Sequence, residues 1–198
     1  MLKISVLVSG GGTNFQAVID AVESGFIPDA KIVQVISSSP KAYALERAQK
    51  HGIPGYVVST KAWPDPAEKA GRILELLNEK ETDLIVLAGY MSVVDEAIIR
   101  AYRGRIINIH PSLIPKFCGK GFYGKRVHEA VLAAGEKVSG ATVHYVDEGI
   151  DTGEIILQEQ VPVLDGDTAD DLAARVLTVE HRILTQAIRD IALKYEVE

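Results

Sequence analysis

The chain has 198 residues, of which 47% are hydrophobic, and a formal net charge of −6. This size predicts one soluble globular domain over residues 1–198, and the negative charge argues against general binding of nucleic acid or of a membrane surface. Because Cys118 is the single cysteine, an internal disulfide framework and a site of several thiolates are excluded. The absence of a signal-peptide pattern or an apolar stretch of roughly 20 residues predicts a cytoplasmic protein without membrane partners.

Short β-branched runs alternate with segments of helical period over the first half of the chain. The predicted strands are residues 3–8, 31–36, 55–58, 83–88 and 105–109. The predicted helices are residues 14–24, 41–51, 67–80 and 95–102. Such alternation predicts an α/β fold with a doubly wound, mostly parallel sheet.

After Pro115 the pattern changes. A loop rich in glycine, lysine and aromatic residues (116–125) precedes a short helix (127–134), two strands (141–146 and 154–163) and a long closing helix from Ala169. Thr168 and Asp171 approximate a capping box at the start of that helix. Glu180 interrupts its apolar stripe, where a carboxylate is unfavourable unless it is paired or used.

A glycine-rich segment, residues 9–14, follows the first predicted strand and opens the first predicted helix. We call it the glycine loop. Glycines permit a tight turn, and the free N–H groups of a helix N-terminus bind anions, so this segment predicts a phosphate site; a plain glycine turn is the alternative. It is a poor dinucleotide fingerprint, because Phe15 stands where the third glycine belongs and no acid follows the second strand.

Residues 119–125 superficially match a nucleotide-triphosphate loop, but Arg126 replaces the required Ser or Thr and no strand directly precedes them. We instead expect residues 116–125 to form a flap at the mouth of the site.

Asn108 and His110 stand two residues apart where a predicted strand ends. They should therefore point to the same side, at the carboxyl edge of the sheet where ligands bind in open α/β folds. Pro111 keeps His110 extended. Asp151 lies in an acidic turn that is either a solvated loop or an approach to the same cleft. The histidines lack metal-site spacing, so no metal is predicted, although His144 could point into either the core or the site.

Four segments in this order resemble the phosphoribosylglycinamide formyltransferases of purine synthesis: residues 9–14, 87–91, 108–116 and 151–153. The central one alone is similar to 10-formyltetrahydrofolate-dependent formyltransferases in general. The resemblance implies a Rossmann-like formyltransferase fold with a C-terminal strand pair and a long closing helix. It implies small-molecule partners, is compatible with a homodimer, and makes 10-formyltetrahydrofolate the co-substrate of a transferase that formylates the amine of glycinamide ribonucleotide.

The resemblance also implies roles for individual residues. Asn108 would hold the formyl oxygen, His110 would act as general acid and base, and Asp151 would set the state of the histidine. The phosphate would be held by main-chain N–H groups of Gly12, Thr13 and Asn14, and the ribose by Glu180. The folate pocket would be lined by Met91, Ser92, Val93, Val94 and Asn108.

Two segments depart from the family pattern. Where many members carry an arginine that contacts folate, residues 63–66 read Trp-Pro-Asp-Pro, and the loop after Lys116 is longer than usual. Contacts to the folate tail are therefore not carried over.

Three related activities share the Asn, His and Asp centre. They are methionyl-tRNA formyltransferase, sugar-nucleotide formyltransferase and formyl-folate hydrolase. The tRNA enzyme would need a C-terminal nucleic-acid-binding domain and the hydrolase usually has an N-terminal regulatory domain, for which we expect no room in 198 residues. A non-catalytic nucleotide-binding module would keep the glycine loop without needing Asn108, His110 and Asp151 together.

Overall fold

The computed structural model describes residues 1–195 and contains one seven-stranded sheet. The strands are β1 (Leu2–Val8), β2 (Ala30–Ser37), β3 (Gly55–Val57), β4 (Leu84–Leu87), β5 (Ile106–His110), β6 (Val138–Tyr145) and β7 (Ile155–Pro162). Their order across the sheet is β3-β2-β1-β4-β5-β6-β7. The first five run parallel, and β6 and β7 add an antiparallel pair. The predicted doubly wound α/β fold is confirmed.

Helices cover both faces of the sheet. They are α1 (Thr13–Glu23), α2 (Ala44–Lys50), α3 (Pro66–Glu79), α4 (Glu96–Ala101), α5 (Lys125–Ala133) and α6 (Ala169–Tyr195). One buried core joins the sheet to α1, α2, α5 and α6, and a second joins the other face to α3 and α4. No helix within residues 1–195 is long and apolar enough to cross a membrane.

Side-chain caps fix where several helices begin. Thr168 Oγ1 accepts a hydrogen bond from the Asp171 N–H at 3.2 Å, while the Asp171 carboxylate accepts one from the Thr168 N–H at 2.9 Å. This reciprocal pair is the predicted capping box of α6. Asp65 similarly accepts from the N–H groups of Ala67 and Glu68 at the start of α3. The caps satisfy backbone donors that the first turn of a helix leaves without partners.

Two elements begin three residues away from the predicted start, while the other boundaries agree within two residues. The second helix starts at Ala44 rather than at residue 41, and the Ala44 N–H donates to the Gly10 carbonyl at 3.1 Å. Strand β6 starts at Val138, three residues before the predicted 141, and it includes Gly140. A Cβ at Gly140 would lie 2.0 Å from the Glu159 carbonyl oxygen, so the close approach of β7 requires glycine.

Candidate active site

A cavity of about 680 Å³ opens at the carboxyl ends of β4 and β5. Its walls are the segment 89–94, the flap, the turn 146–151 and one side of α6. The predicted site residues that line it are Asn14, Met91, Ser92, Val93, Val94, Asn108, His110, Asp151 and Glu180. Gly12 and Thr13 do not line this cavity; they stand beside Asn14 at the start of α1.

Asn108 and His110 project from the same side of β5, as the period of a strand requires. The antiparallel pairing with β6 sets Asn108 opposite His144 and His110 opposite Thr142. Directly opposed residues share a face, and the Asn108 amide nitrogen lies 3.2 Å from Nε2 of His144. The polar residues at the end of β5 therefore form a pair with a histidine from the neighbouring strand.

His144 orients the amide of Asn108. Its Nδ1 lies 2.7 Å from the Tyr145 carbonyl, which can only accept, so Nδ1 donates there and Nε2 is left to accept from Asn108. A carboxamide nitrogen has two hydrogens. One is used by His144, and the other remains for a ligand in the cavity.

The ring of His110 is held between a carbonyl and a carboxylate. Nε2 donates to the Phe117 carbonyl at 2.9 Å, and Nδ1 faces the Asp151 carboxylate at 3.7 Å. Burial lowers the pKa of His110 below its ordinary value, although the Phe117 carbonyl and the Asp151 charge act in the opposite direction. At neutral pH the ring is therefore uncharged, with its Nδ1 lone pair directed toward Asp151.

Asp151 closes the cluster from the turn after β6. Burial raises its pKa, but the neighbouring His144 ring and the hydrogen bond from the Gly119 N–H at 2.9 Å outweigh that effect and hold the pKa below its usual value. Its backbone φ is +57°, a left-handed conformation that aspartate tolerates better than most residues. The carboxylate is thus charged and lies between two imidazoles, 3.5 Å from Nε2 of His144.

A buried hydroxyl network holds the chain between β5 and the flap. Thr142 donates to the Ser112 carbonyl at 2.7 Å, and Ser112 donates to the Lys116 carbonyl at 2.7 Å. Both side chains are fully buried. Because Lys116 precedes Phe117, this network places the carbonyl that binds His110.

His144, Thr142 and the Phe117 carbonyl are parts of the cluster whose roles sequence reasoning missed. The signal that could have revealed them is the register between β5 and β6, which no local pattern encodes.

The glycine loop turns sharply at Gly12, whose φ is +72°. Gly12 is the N-cap of α1, and no side chain among residues 1–195 caps this helix, so its first N–H groups have no side-chain acceptor there. The loop is held from the opposite side, where Arg47 Nε donates to the Gly11 carbonyl at 2.8 Å. This arrangement suits an anion.

Gly12→Ala should lower the free energy of unfolding by about 1–3 kcal/mol. A methyl group there would meet the Ala44 Cβ at 2.6 Å and would force a left-handed conformation on alanine. The matched control is Gly10→Ala, since a Cβ at Gly10 meets nothing within 4 Å. Urea unfolding of both variants checks this expectation, and equal stabilities would contradict it.

Glu180 lies on α6 and is only 8% exposed. The Asn14 amide nitrogen donates to it at 2.8 Å, which links the glycine loop to the closing helix. Burial raises the pKa of Glu180, and the bond from Asn14 opposes that rise. The Asn14 side-chain oxygen is buried and has no hydrogen-bond partner among residues 1–195. This pair is therefore a polar end of the cavity with an unused acceptor.

Another part of the cavity lining is apolar. Met91, Val93, Tyr123 and Ile150 line it and are 58%, 87%, 47% and 55% exposed, respectively. Large apolar side chains that converge on one cavity indicate a ligand surface. Lys69 on α3 supports this wall, because its ammonium group donates to Ser92 Oγ at 3.2 Å. Within the described residues, no group of three or more His, Cys, Asp or Glu side chains is arranged to hold a metal ion.

The chain is similar to known formyltransferases along most of its length. The pattern of the family described as formyl transferase matches residues 2–188. The chain is 41% identical to phosphoribosylglycinamide formyltransferase of Haemophilus influenzae over 96% of its own length and 86% of that relative. It is 40% identical to the chloroplastic enzyme of that name from Vigna unguiculata over 94% of its length, but it spans only 59% of that relative.

Solved structures show the same relationship. Glycinamide ribonucleotide transformylase 1 from Symbiobacterium toebii superimposes with a TM-score of 0.92 at 43% identity, covering 98% of this chain and 89% of the other. A less similar structure, a formyltetrahydrofolate deformylase from Pseudomonas syringae, gives a TM-score of 0.88 at 26% identity and covers 98% of this chain and 62% of the other. With this fold, this cluster at the end of β5 and these matches, the chain belongs to the formyl transferase family.

Proposed function

We propose that this protein transfers a formyl group from 10-formyltetrahydrofolate to the amine of glycinamide ribonucleotide, a step of de novo purine synthesis. The observation that carries the proposal is the meeting of Asn108, His110 and Asp151 in one cavity, between an apolar wall and the uncapped start of α1. A nucleotide-binding module would need the start of α1 but not this cluster. The cytoplasmic location and the small-molecule partners are parts of the same proposal.

Asn108 stabilises the charge that develops on the formyl oxygen. When the substrate amine attacks the formyl carbon, the carbonyl oxygen becomes an oxyanion in a tetrahedral intermediate. The amide hydrogen of Asn108 that His144 does not bind is available to this oxygen. Because His144 fixes the amide before the reaction, little reorganisation is needed when the charge appears, and one such donor typically contributes about 3 kcal/mol.

His110 accepts the proton that the attacking amine must lose. Its lowered pKa keeps Nδ1 unprotonated at neutral pH, and Asp151 stabilises the imidazolium once the proton arrives. The 3.7 Å between Nδ1 and the carboxylate is longer than a direct hydrogen bond, which suits a proton passed through water. The carbon–nitrogen bond to the folate then breaks, and the departing nitrogen gains a proton from the same cluster.

The two substrates are assigned to different parts of the site. The phosphate of glycinamide ribonucleotide is assigned to the N–H groups of Gly12, Thr13 and Asn14, and its ribose to Glu180. The folate ring is assigned to the wall formed by residues 91–94. Since the Met91 N–H already donates to Ser9 Oγ at 2.7 Å, main-chain donors to the folate come from residues 92–94.

Glu180→Gln should stabilise the protein and weaken substrate binding at once. Because the folded-state pKa of Glu180 is raised, its ionisation opposes folding as the pH rises. We expect glutamine to raise the free energy of unfolding at pH 7 by about 1 kcal/mol, a gain that vanishes below about pH 4 where both states are protonated. The KM for glycinamide ribonucleotide should rise about tenfold, since a charged partner of the ribose is lost.

The control for this prediction is Glu129→Gln on the exposed side of α5. Urea unfolding at several pH values and steady-state kinetics measure both effects. The quantity to compare is the free energy of unfolding of Glu180→Gln minus that of the native chain. If this difference is no larger at pH 7 than at pH 4, the account of the buried carboxylate is contradicted.

The proposed function is tested by following 10-formyltetrahydrofolate with and without glycinamide ribonucleotide, with the products identified by mass spectrometry. We expect formylated glycinamide ribonucleotide and tetrahydrofolate in equal amounts, and little consumption of the folate when the amine is absent. Release of formate at the same rate in both mixtures would instead identify a hydrolase. No consumption in either mixture would refute formyl transfer to this amine.

A further inference from the structure

The hydroxyl group of Ser9 joins two loops that border the active-site cavity. Strand β1 ends at Val8, and Ser9 is the first residue of the glycine loop. Its Oγ accepts a hydrogen bond from the Met91 N–H at 2.7 Å and lies 2.5 Å from the Oγ of Ser38, which follows β2. One side chain therefore connects the carboxyl ends of β2 and β1 with the loop after β4.

Ser9 follows the end of β1, which is paired with β4, and the loops after these two neighbouring strands leave the sheet toward opposite faces. After β1 the chain enters α1, which packs in one core, and after β4 it enters α4, which packs in the core on the other face. Loops that leave neighbouring strands toward opposite faces open a crevice between them, and ligands bind in that crevice. The hydrogen bond between Met91 and Ser9 spans it.

The two loops have different tasks in the proposed reaction. The glycine loop is assigned to the phosphate of the amine substrate, and Met91 opens the wall assigned to the folate. The outer side of the glycine loop is held by α2, through the bonds from Ala44 to Gly10 and from Arg47 to Gly11. On its inner side the loop is joined to Met91, whose terminal methyl group lies next to Gly124 in the flap.

We propose that Ser9 is a positioning residue that couples the binding of the two substrates. This inference rests on the proposed function. An anion bound to the start of α1 fixes the backbone of the glycine loop, and the Ser9 hydroxyl transmits that ordering to Met91. The folate then meets a wall that is already ordered, so it binds more tightly when the phosphorylated substrate is present. Linkage requires the reverse effect to be equal.

Calorimetric titration tests this coupling without catalysis. Tetrahydrofolate carries no formyl group, so it can be titrated into the native protein alone and into the protein saturated with glycinamide ribonucleotide. We expect the Kd of tetrahydrofolate to fall about fivefold or more in the saturated native protein. The coupling ratio is the Kd of tetrahydrofolate for the protein alone divided by its Kd for the saturated protein. In Ser9→Ala this ratio should fall to about 1, and in Ser9→Thr, which keeps the hydroxyl, it should persist.

The matched control is Ser38→Ala. It removes the other partner of Ser9 but leaves the bond from Met91 to Ser9, so the native ratio should be retained. If Ser9 had a merely structural role, Ser9→Ala would change the stability of the protein or its affinity for both ligands, but the ratio would not fall to about 1. If Ser9→Ala does not fold, Ser9→Cys replaces the oxygen with a weak sulfur acceptor and should also lower the ratio.

The proposal is overturned if Ser9→Ala, or Ser9→Cys in its place, retains the native ratio. Independent binding of the two ligands to the native protein would overturn it as well. If the native protein binds neither ligand, the proposed function itself has failed and the coupling falls with it, an outcome distinct from binding without coupling.

Discussion

Replacing Asn108 with alanine is expected to lower kcat for formyl transfer by about 10²-fold, with little change in the KM of either substrate. The reason is that the amide contacts the formyl oxygen most strongly when that oxygen is charged. Interactions that strengthen only in the transition state affect kcat rather than ground-state binding. The amide nitrogen is held at 3.2 Å from Nε2 of His144, so its second hydrogen has a fixed direction.

Asn78→Ala is the matched control, because Asn78 is an exposed amide near the end of α3. Its kinetics should equal those of the native chain. Turnover of Asn108→Ala within about fivefold of the native rate would contradict the assignment of Asn108 to the oxyanion, because a lost donor of this kind affects the rate far more.

Replacing His110 with alanine is expected to lower kcat by about 10²-fold or more, the usual contribution of a positioned proton acceptor. The pH dependence identifies the group. Because the pKa of His110 is lowered by burial, the native kcat should hold through neutral pH and fall only at a pH below the ordinary histidine range, as the ring gains a proton and can no longer accept one. In His110→Ala this acid limb should be absent.

The control is His51→Gln, which changes a histidine at the end of α2 that lies outside the cavity. Its rate and acid limb should match those of the native chain. If His110→Ala keeps the native acid limb, or loses less than about tenfold in kcat, another group must move the proton and the role of His110 is refuted.

The positions of Asn108 and His110 could be anticipated because they depend only on local rules. Alternation along a strand puts them on one side, and parallel strands bring ligand sites to their carboxyl ends. The start of α1 at the glycine loop and the capping box of α6 follow from equally local preferences.

The partners of these residues could not be derived from local patterns, because they depend on long-range register, and the pairing of Asp151 with His110 is implied by the family resemblance alone. His144 meets Asn108 only through the pairing of β5 with β6, and Asp151 reaches His110 through a left-handed turn residue. The carbonyl of Phe117 is placed by the packing of Thr142 and Ser112. The sequence pattern predicted which strand end carries the site. Tertiary packing determines which ring nitrogens of His110 and His144 donate and which amide hydrogen of Asn108 is available to a ligand.

The segment that departs from the family pattern also acquires a structural explanation. Residues 63–66 lead into α3, with Asp65 as its cap and Pro66 at its first position, where proline is well tolerated. One turn further on, Lys69 reaches Ser92 in the cavity wall. This segment therefore starts a helix whose Lys69 contacts Ser92 in the wall assigned to the folate.

The most direct test of the account is a crystal structure of the protein with glycinamide ribonucleotide and a non-transferable formyl-folate analogue. We expect the formyl oxygen at about 2.7–3.1 Å from the Asn108 amide nitrogen, the attacking amine beside His110, and the phosphate on the first N–H groups of α1. A complex in which the formyl carbon lies beyond the reach of Asn108 and His110, or in which the phosphate binds elsewhere, would contradict the account.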